Sequence, residues 1–406
     1  MPHTAPRLRA IEPFHVMRIL AEAQALAASG RDVIHLEVGE PDFPTPQPII
    51  DAGIAALQNG QTFYTGACGL PALRAAIAGF YAARLGVIVD PARIIITPGA
   101  SGALQLILAL LVGRDDEVLL TDPGYPCNRH LVSLLEGKPV NIPVDAASNF
   151  QLTPELITRH AGPRTVAALL ASPANPTGAV LSASDMAILA EVCSQSQIAL
   201  IVDEIYQGLV YDSPHDTALR LSQELFVVNS FSKFFQMTGW RLGWLVAPAW
   251  AAPELEKLAQ NLFLAPPTPA QHAALAAFTP ETLALLESRR QELARRRDFL
   301  LQALPGLGLP PMARGDGAFY LWLDCQQLSD DAEHFASALL QAEGVAVTPG
   351  RDFGAHGTRQ ALRIAYSQPL PRLAEAVARI ARFLPDYCAA TGRRLPSQQA
   401  NHFQDH

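Results

Sequence analysis

The sequence has few cysteines and spaces them widely. Cys68, Cys127, Cys193, Cys325 and Cys388 form no CxxC pair. That argues against a cysteine-based zinc site and a disulfide framework, and fits a reducing cytoplasm. No apolar run is long enough to span a bilayer. The stretch from Met1 to Leu8 lacks the apolar core of an export signal, so a soluble cytoplasmic chain is expected. Basic blocks are also missing, and the formal net charge is -8. Nucleic acid and membranes are therefore not expected partners. The densest arginines, Arg289, Arg290, Arg295, Arg296 and Arg297, fall in one long helical pattern and read as a solvated face. No internal repeat is present.

What is present is a large apolar inventory. Of 406 residues, 49% are hydrophobic and 17% charged, enough for one large domain and a smaller one. Short apolar runs at 94–96, 118–120, 166–170, 198–202 and 225–228 read as strands. Helical patterns at 101–112, 128–135 and 183–196 fall between some of them. That alternation predicts a mostly parallel α/β sheet covered on both faces. Helices are expected at 14–29, 70–85 (closed by Gly86), 280–304, 331–343 and 370–384. Further strands are expected at 33–38, 318–323, 345–347 and 361–365, and the polar tail from Ala389 reads as disordered.

In such sheets, ligands bind beyond the carboxyl ends of the strands. The most informative segment, Ser230-Phe231-Ser232-Lys233 through Arg241, follows the run ending at Val228. A lysine amine in apolar company can form a Schiff base with pyridoxal 5'-phosphate. Ser230, Ser232 and Arg241 can hold its phosphate. Lys233 then serves as both anchor and general base. Asp203 ends the strand 198–202 and can keep the cofactor's pyridine nitrogen protonated, although an Asp there can also cap a turn. Tyr206, three residues on, can bond the cofactor's phenolic oxygen. Glu204 reads as structural.

Other strand ends are less specific alone. Asn175, in Ser172-Pro173-Ala174-Asn175-Pro176-Thr177-Gly178, can donate to the cofactor and to a carboxylate, and a plain turn explains the segment equally well. Gly99, Ala100 and Ser101 open a helix whose free N–H groups would bind phosphate. Tyr125 can stack on a cofactor ring or simply pack in its loop. Arg363, in an apolar strand, wants a partner anion; a substrate α-carboxylate and solvent at a sheet edge are the two choices.

Taken together, the segments resemble the class I/II aminotransferases of pyridoxal-phosphate fold type I, over about Ile11 to Leu384. The motifs occur in the family's order: Gly39-Glu40-Pro41-Asp42-Phe43, Tyr64 to Gly69, the Gly99 loop, Tyr125, Asn175-Pro176-Thr177-Gly178, Asp203-Glu204-Ile205-Tyr206, Ser230 to Lys233, Arg241 and Arg363. The resemblance implies a large domain over 46–285 with a mostly parallel seven-stranded sheet. It implies a smaller α/β domain from 1–45 and 286–388, and a disordered tail over 389–406.

The resemblance further implies that Tyr64 reaches the cofactor phosphate of a neighbouring subunit, making a homodimer with shared sites. Gly39 would contact the substrate carboxylate through its backbone, and Thr348 to Gly354 would lie near the site mouth. The expected reaction moves an amino group from an amino acid to a 2-oxo acid by a ping-pong route. A lyase on the same scaffold, of carbon–sulfur β-lyase or aminocyclopropane-carboxylate synthase type, shares nearly all these residues and stays open. A DNA-binding regulator does not fit, since about a dozen residues precede the first helix. A second cation for dicarboxylates is not evident; Arg18 reads as a helix-surface arginine. Ile11, Phe14 and Val16 suggest an apolar pocket lining and hence neutral or apolar amino donors.

Overall fold

A computed structural model describes residues 3–13, 15–212 and 216–396. After a short strand β1 (Ile34–His35), the chain builds one sheet from β2 (Ile94–Thr97), β3 (Glu117–Asp122), β4 (Lys138–Pro143), β5 (Thr165–Ala171), β6 (Ala199–Asp203), β7 (Phe226–Ser230) and β8 (Gly243–Val246). Their order is β2-β8-β7-β6-β5-β3-β4. Strand β8 is antiparallel to both neighbours, and the remaining pairs are parallel. All strands but β8 therefore end on the same edge. The central strand β7 is buried on both faces, and even β2, at the end of the order, has no exposed residue. That is why they read as continuous apolar runs rather than alternating ones.

Two strands of this sheet had no sequence signal. In β4, Lys-Pro-Val-Asn-Ile-Pro, the prolines hide it; they are tolerated because β4 lies at the sheet's edge. Strand β8 is short and follows directly on the segment of Lys233 and Arg241. Helices at Gln47–Gln58, Pro154–His160, Ala252–Leu262 and Thr268–Leu275 were also unexpected. The last begins inside the proline-rich stretch 265–269, where Pro269 sits in the first turn and loses no intrahelical bond. The expected helix 70–85 divides into Pro71–Phe80 and a π turn, Tyr81–Leu85, closed by Gly86 at φ 66°.

The C-terminal part holds β9 (Tyr320–Asp324), β10 (Val345–Ala346), β11 (Thr348–Pro349) and β12 (Ala361–Ala365). Strand β12 is the centre of an antiparallel sheet, β11-β12-β9. The N-terminal arm packs on this part. Strand β1 pairs in parallel with β10, Val16 N–H donates to the Asp352 carboxylate (2.6 Å), and Ile19 and Ala23 pack on Leu340 and Ala346.

Two expectations need correction. The final helix runs Leu370–Thr391, past both Pro385 and Ala389. Tyr387 and Cys388 are buried beyond the proline, with the Tyr387 ring 5.3 Å from that of Phe335, and this packing outweighs the break. Residues 397–406 of the expected tail lie outside the described residues, as does Phe14. The arginine-rich helix Pro280–Ala303 is not simply a solvated face. Arg296 and Arg297 are buried and paired, Arg296 with Asp42 and Arg297 with Asp212.

One buried aromatic cluster ties β8 to the loop after β7. Trp244 is fully buried, donates through Nε1 to Tyr81 Oη (3.2 Å), and lies 4.9 Å from the ring of Phe231. Trp244→Ala is expected to cost about 3–5 kcal/mol, read as a lower urea midpoint. A midpoint within experimental error of the parent would contradict this packing role.

Candidate active site

The loop after β7 is held by what lies beneath it. Phe231, Phe234, Phe235 and Met237 are all buried, and Phe231 and Phe235 stack within 5.2 Å of each other. Ser230 Oγ accepts from Ser232 N–H (3.0 Å) and lies 2.9 Å from Ser232 Oγ. With these side chains turned into the core, Lys233 points out of it. Its Nζ donates to the Gly39 carbonyl (2.5 Å) and sits 5.8 Å and 5.7 Å from the ring centres of Tyr206 and Phe319. Burial is the main cause that lowers its pKa to about 8; Glu40 opposes it, while Arg363 and Arg241 add to it.

The turn at Gly39 reaches this loop by several bonds. Thr45 Oγ1 donates to the Gln236 carbonyl (2.7 Å) and accepts from Trp240 Nε1 (3.1 Å), and Thr238 bonds Glu40. Asp203 ends β6 nearly buried, and burial raises its pKa to about 6, against the Ile205 N–H and Lys233. Its Oδ1 accepts from Ile205 N–H (3.0 Å), so the capping expectation and a place in the site hold together. Glu204 turns away: it accepts from Thr217 Oγ1 (2.8 Å) and Ala218 N–H (2.7 Å). Its role is structural, as expected.

Arg363 is 4% exposed and lies in the central strand β12, which removes the edge-strand alternative. Nη1 donates to Asn175 Oδ1 (3.0 Å), and Nη2 to the Glu37 carbonyl (2.7 Å) and to Thr348 Oγ1 (3.3 Å). Nε is buried without a partner among the described residues. All its acceptors are neutral, so its charge is uncompensated among them and fits a ligand carboxylate.

These groups surround a cavity of about 300 Å³. Lys233, Asp203, Tyr206, Tyr125, Asn175, Arg363, Gly39, Ala100 and Ser101 all line it. Gly99, Ser230, Ser232, Arg241 and Tyr64 do not. Gly99 and Arg241 lie together just behind: a Cβ on Gly99 would stand 2.5 Å from Arg241 Nη2. Gly99 also has φ +73°, where a side chain is strained. Tyr64 is 81% exposed on the surface, next to Phe63 at 84%. Sequence reasoning missed Met17, Leu20, Glu37, Val38, Leu104, Ala171, Ile205 and Tyr320, which also line the cavity. Val38 and Ile205 flank residues already singled out; Tyr320 carries no motif of its own.

The donor set fits pyridoxal 5'-phosphate. A glycine-opened helix start beside an arginine suits its phosphate. A buried carboxylate suits its ring nitrogen, and a buried amine suits its aldehyde. Among the described residues no cluster could hold a metal ion, and no helix is long and apolar enough to cross a membrane.

Residues 31–380 match the family described as aminotransferase class I and II. The chain belongs to that family. Its aminotransferase activity and its pyridoxal-phosphate dependence follow. Among its relatives, a valine–pyruvate aminotransferase of Mycobacterium tuberculosis is 38% identical, over 92% of this chain and 97% of that one. An aspartate aminotransferase of Geobacillus stearothermophilus is 35% identical, over 94% and 98%. Among solved structures, an aminotransferase from Mycobacterium tuberculosis superposes with TM-score 0.92 at 37% identity, covering 95% of this chain and all of that one. A Thermus thermophilus aspartate aminotransferase with maleate gives 0.89 at 34%, with the same coverage. The fold is thus that of the fold type I aminotransferases, with a seven-stranded, mostly parallel sheet and a smaller one.

Two outcomes follow for this aminotransferase. Gly99→Ala, by displacing the Arg241 guanidinium, is expected to weaken pyridoxal-phosphate binding about tenfold or more, or about 1.4 kcal/mol. Equilibrium titration of the cofactor-free protein checks this, and unchanged affinity would contradict the phosphate assignment. The rate of cofactor attachment is expected to rise as pH passes about 8, where Lys233 loses its proton, and to level above it. A rise centred on the ordinary lysine value of 10.5 would contradict the burial argument.

Proposed function

We propose that this aminotransferase takes its amino group from a neutral, apolar amino acid and passes it to a 2-oxo acid, with Lys233 holding the cofactor. The observation that carries the substrate class is the lining of the cavity. Val16, Met17, Leu20, Val38, Leu104 and Ile205 supply an apolar wall. Among the described residues lining it, the only cations are Lys233 and Arg363. Arg18 does not line it and is paired at the surface with Glu22 and Glu333. The likeness to a valine–pyruvate aminotransferase supports the same reading.

When bound, pyridoxal 5'-phosphate supplies an aldehyde that condenses with amines and a protonated ring that draws electrons from the substrate Cα. The chain's residues do the rest. Lys233 Nζ would hold the aldehyde carbon, and as a free amine it would move the proton at the substrate Cα. Asp203, ionised at neutral pH, would keep the ring nitrogen protonated. Tyr206 and Asn175 would bond the phenolic oxygen, and Tyr125 would pack against the ring. Ser101, Ser230, Ser232, Arg241 and the N–H groups of Gly99 to Ser101 would hold the phosphate. Arg363 and Asn175 take the substrate carboxylate, beside the Gly39 backbone.

The same reading makes the chain a cytoplasmic homodimer, with Tyr64 completing the partner's phosphate site. The exposure of Phe63 and Tyr64, and of Leu262 and Leu264 near the helix that anchors their loop, supports this. So do five free cysteines for a reducing compartment. It divides the chain into a large domain, 46–285, and a small one, 1–45 with 286–388, supported by the β1–β10 pairing.

Lys233→Ala is expected to abolish transamination; near-normal turnover would overturn the assignment. With pyruvate as acceptor, kcat/KM for valine or leucine is expected to exceed that for aspartate by about tenfold or more, or about 1.4 kcal/mol. A preference for aspartate would overturn the substrate class.

A further inference from the structure

Tyr320 has no part in the roles above, yet it touches three of the residues that do. It opens β9 just after Ala318 and Phe319. Ala318 has φ 59°, a left-handed conformation uncommon for a residue with a side chain. Its backbone is pinned on both sides. Tyr211 and Tyr366 (3.2 Å) both donate to its carbonyl, and its N–H donates to the Leu209 carbonyl (2.9 Å). The segment that delivers Tyr320 is therefore tightly fixed.

Tyr320 is 1% exposed and lines the cavity. Its Oη lies 3.0 Å from Tyr206 Oη. The Arg363 guanidinium carbon stands 4.3 Å from the centre of its ring, within cation–π range. A Cβ on Gly39 would be 2.8 Å from its Oη, so only a backbone without a side chain passes so close.

Either hydroxyl can donate across this 3.0 Å pair, and each phenol carries a single hydrogen. With the Tyr206 hydrogen given to the cofactor's phenolic oxygen, as proposed above, Tyr206 Oη is left as the acceptor and the Tyr320 O–H as the donor.

We infer that Tyr320 is a positioning residue: its hydroxyl turns the Tyr206 hydrogen toward the cofactor's phenolic oxygen, and its ring face seats Arg363 for the substrate carboxylate. The inference rests on the roles proposed above for Lys233, Tyr206 and Arg363.

Two variants of the cofactor-loaded enzyme test it. Tyr320→Phe keeps the ring beneath Arg363 and removes only the hydroxyl. The pH midpoint of the cofactor's visible band is expected to rise by about half a unit, a roughly threefold change in the proton equilibrium. KM for the amino acid should change by less than about twofold. Tyr320→Leu removes the ring face. The dissociation constant of the unreactive carboxylate 3-methylbutanoate, read from the same band, is expected to rise about three- to thirtyfold.

An unchanged midpoint in Tyr320→Phe overturns the inference, and that variant decides alone if Tyr320→Leu does not fold. An unchanged carboxylate affinity in a folded Tyr320→Leu overturns the claim on Arg363. A visible band that survives Lys233→Ala overturns the underlying site reading and this inference with it. A band lost in Lys233→Ala, with Tyr320→Phe indistinguishable from the parent, overturns this inference alone.

Discussion

The site depends on keeping one amine away from water. An ammonium group without a carboxylate partner is costly to bury, and Lys233 responds by giving up its proton near pH 8. That yields a nucleophile close to neutral pH. The condition cannot be met locally. The aromatic cluster under Lys233 comes from the loop itself, from β8 and from the segments around Phe80 and Phe278. The carbonyl that accepts from Nζ comes from Gly39, beyond the N-terminal arm. Lys138 and Lys257, the other two lysines of the sequence, are exposed and paired with Asp115 and Glu254. Neither has such an environment.

The arginines follow a related logic. Most in this chain meet carboxylates: Arg372 and Arg379 share Asp32, and Arg296 and Arg297 have acidic partners though buried. Among the described residues Arg363 meets only neutral oxygens. A buried cation held this way is stabilised in position without being neutralised, and an incoming carboxylate gains the full interaction. Arg241 stands beside Gly99, where any side chain would collide with it. Under the proposed function the two cations mark two separate anion positions, one served by the large sheet and one by β12.

Much of this was legible in the sequence because the strands at the sheet's centre are apolar on both faces, and because the chemistry follows their ends. Lys233, Asp203, Asn175 and Tyr125 each come within a few residues of such a run, and the structure gathers them around one cavity. Strand β4 was hidden by its prolines and β8 by its place directly after the segment of Lys233 and Arg241. The buried pairs of Arg296 and Arg297 depend on Asp42 and Asp212, far away in sequence. The final helix outlasts Pro385 because Tyr387 packs on Phe335. Tyr320 was invisible for the same reason: its importance lies in its distances to Tyr206, Arg363 and Gly39, and in nothing about its neighbours in the chain.

The central claim is that Lys233, and no other lysine, carries the cofactor. Borohydride reduction of the yellow enzyme, followed by peptide mass mapping, tests it directly. The account predicts one pyridoxyl group per chain, on the peptide containing Lys233. A label on Lys138 or Lys257, or an unlabelled Lys233 in protein that holds the cofactor, would contradict it.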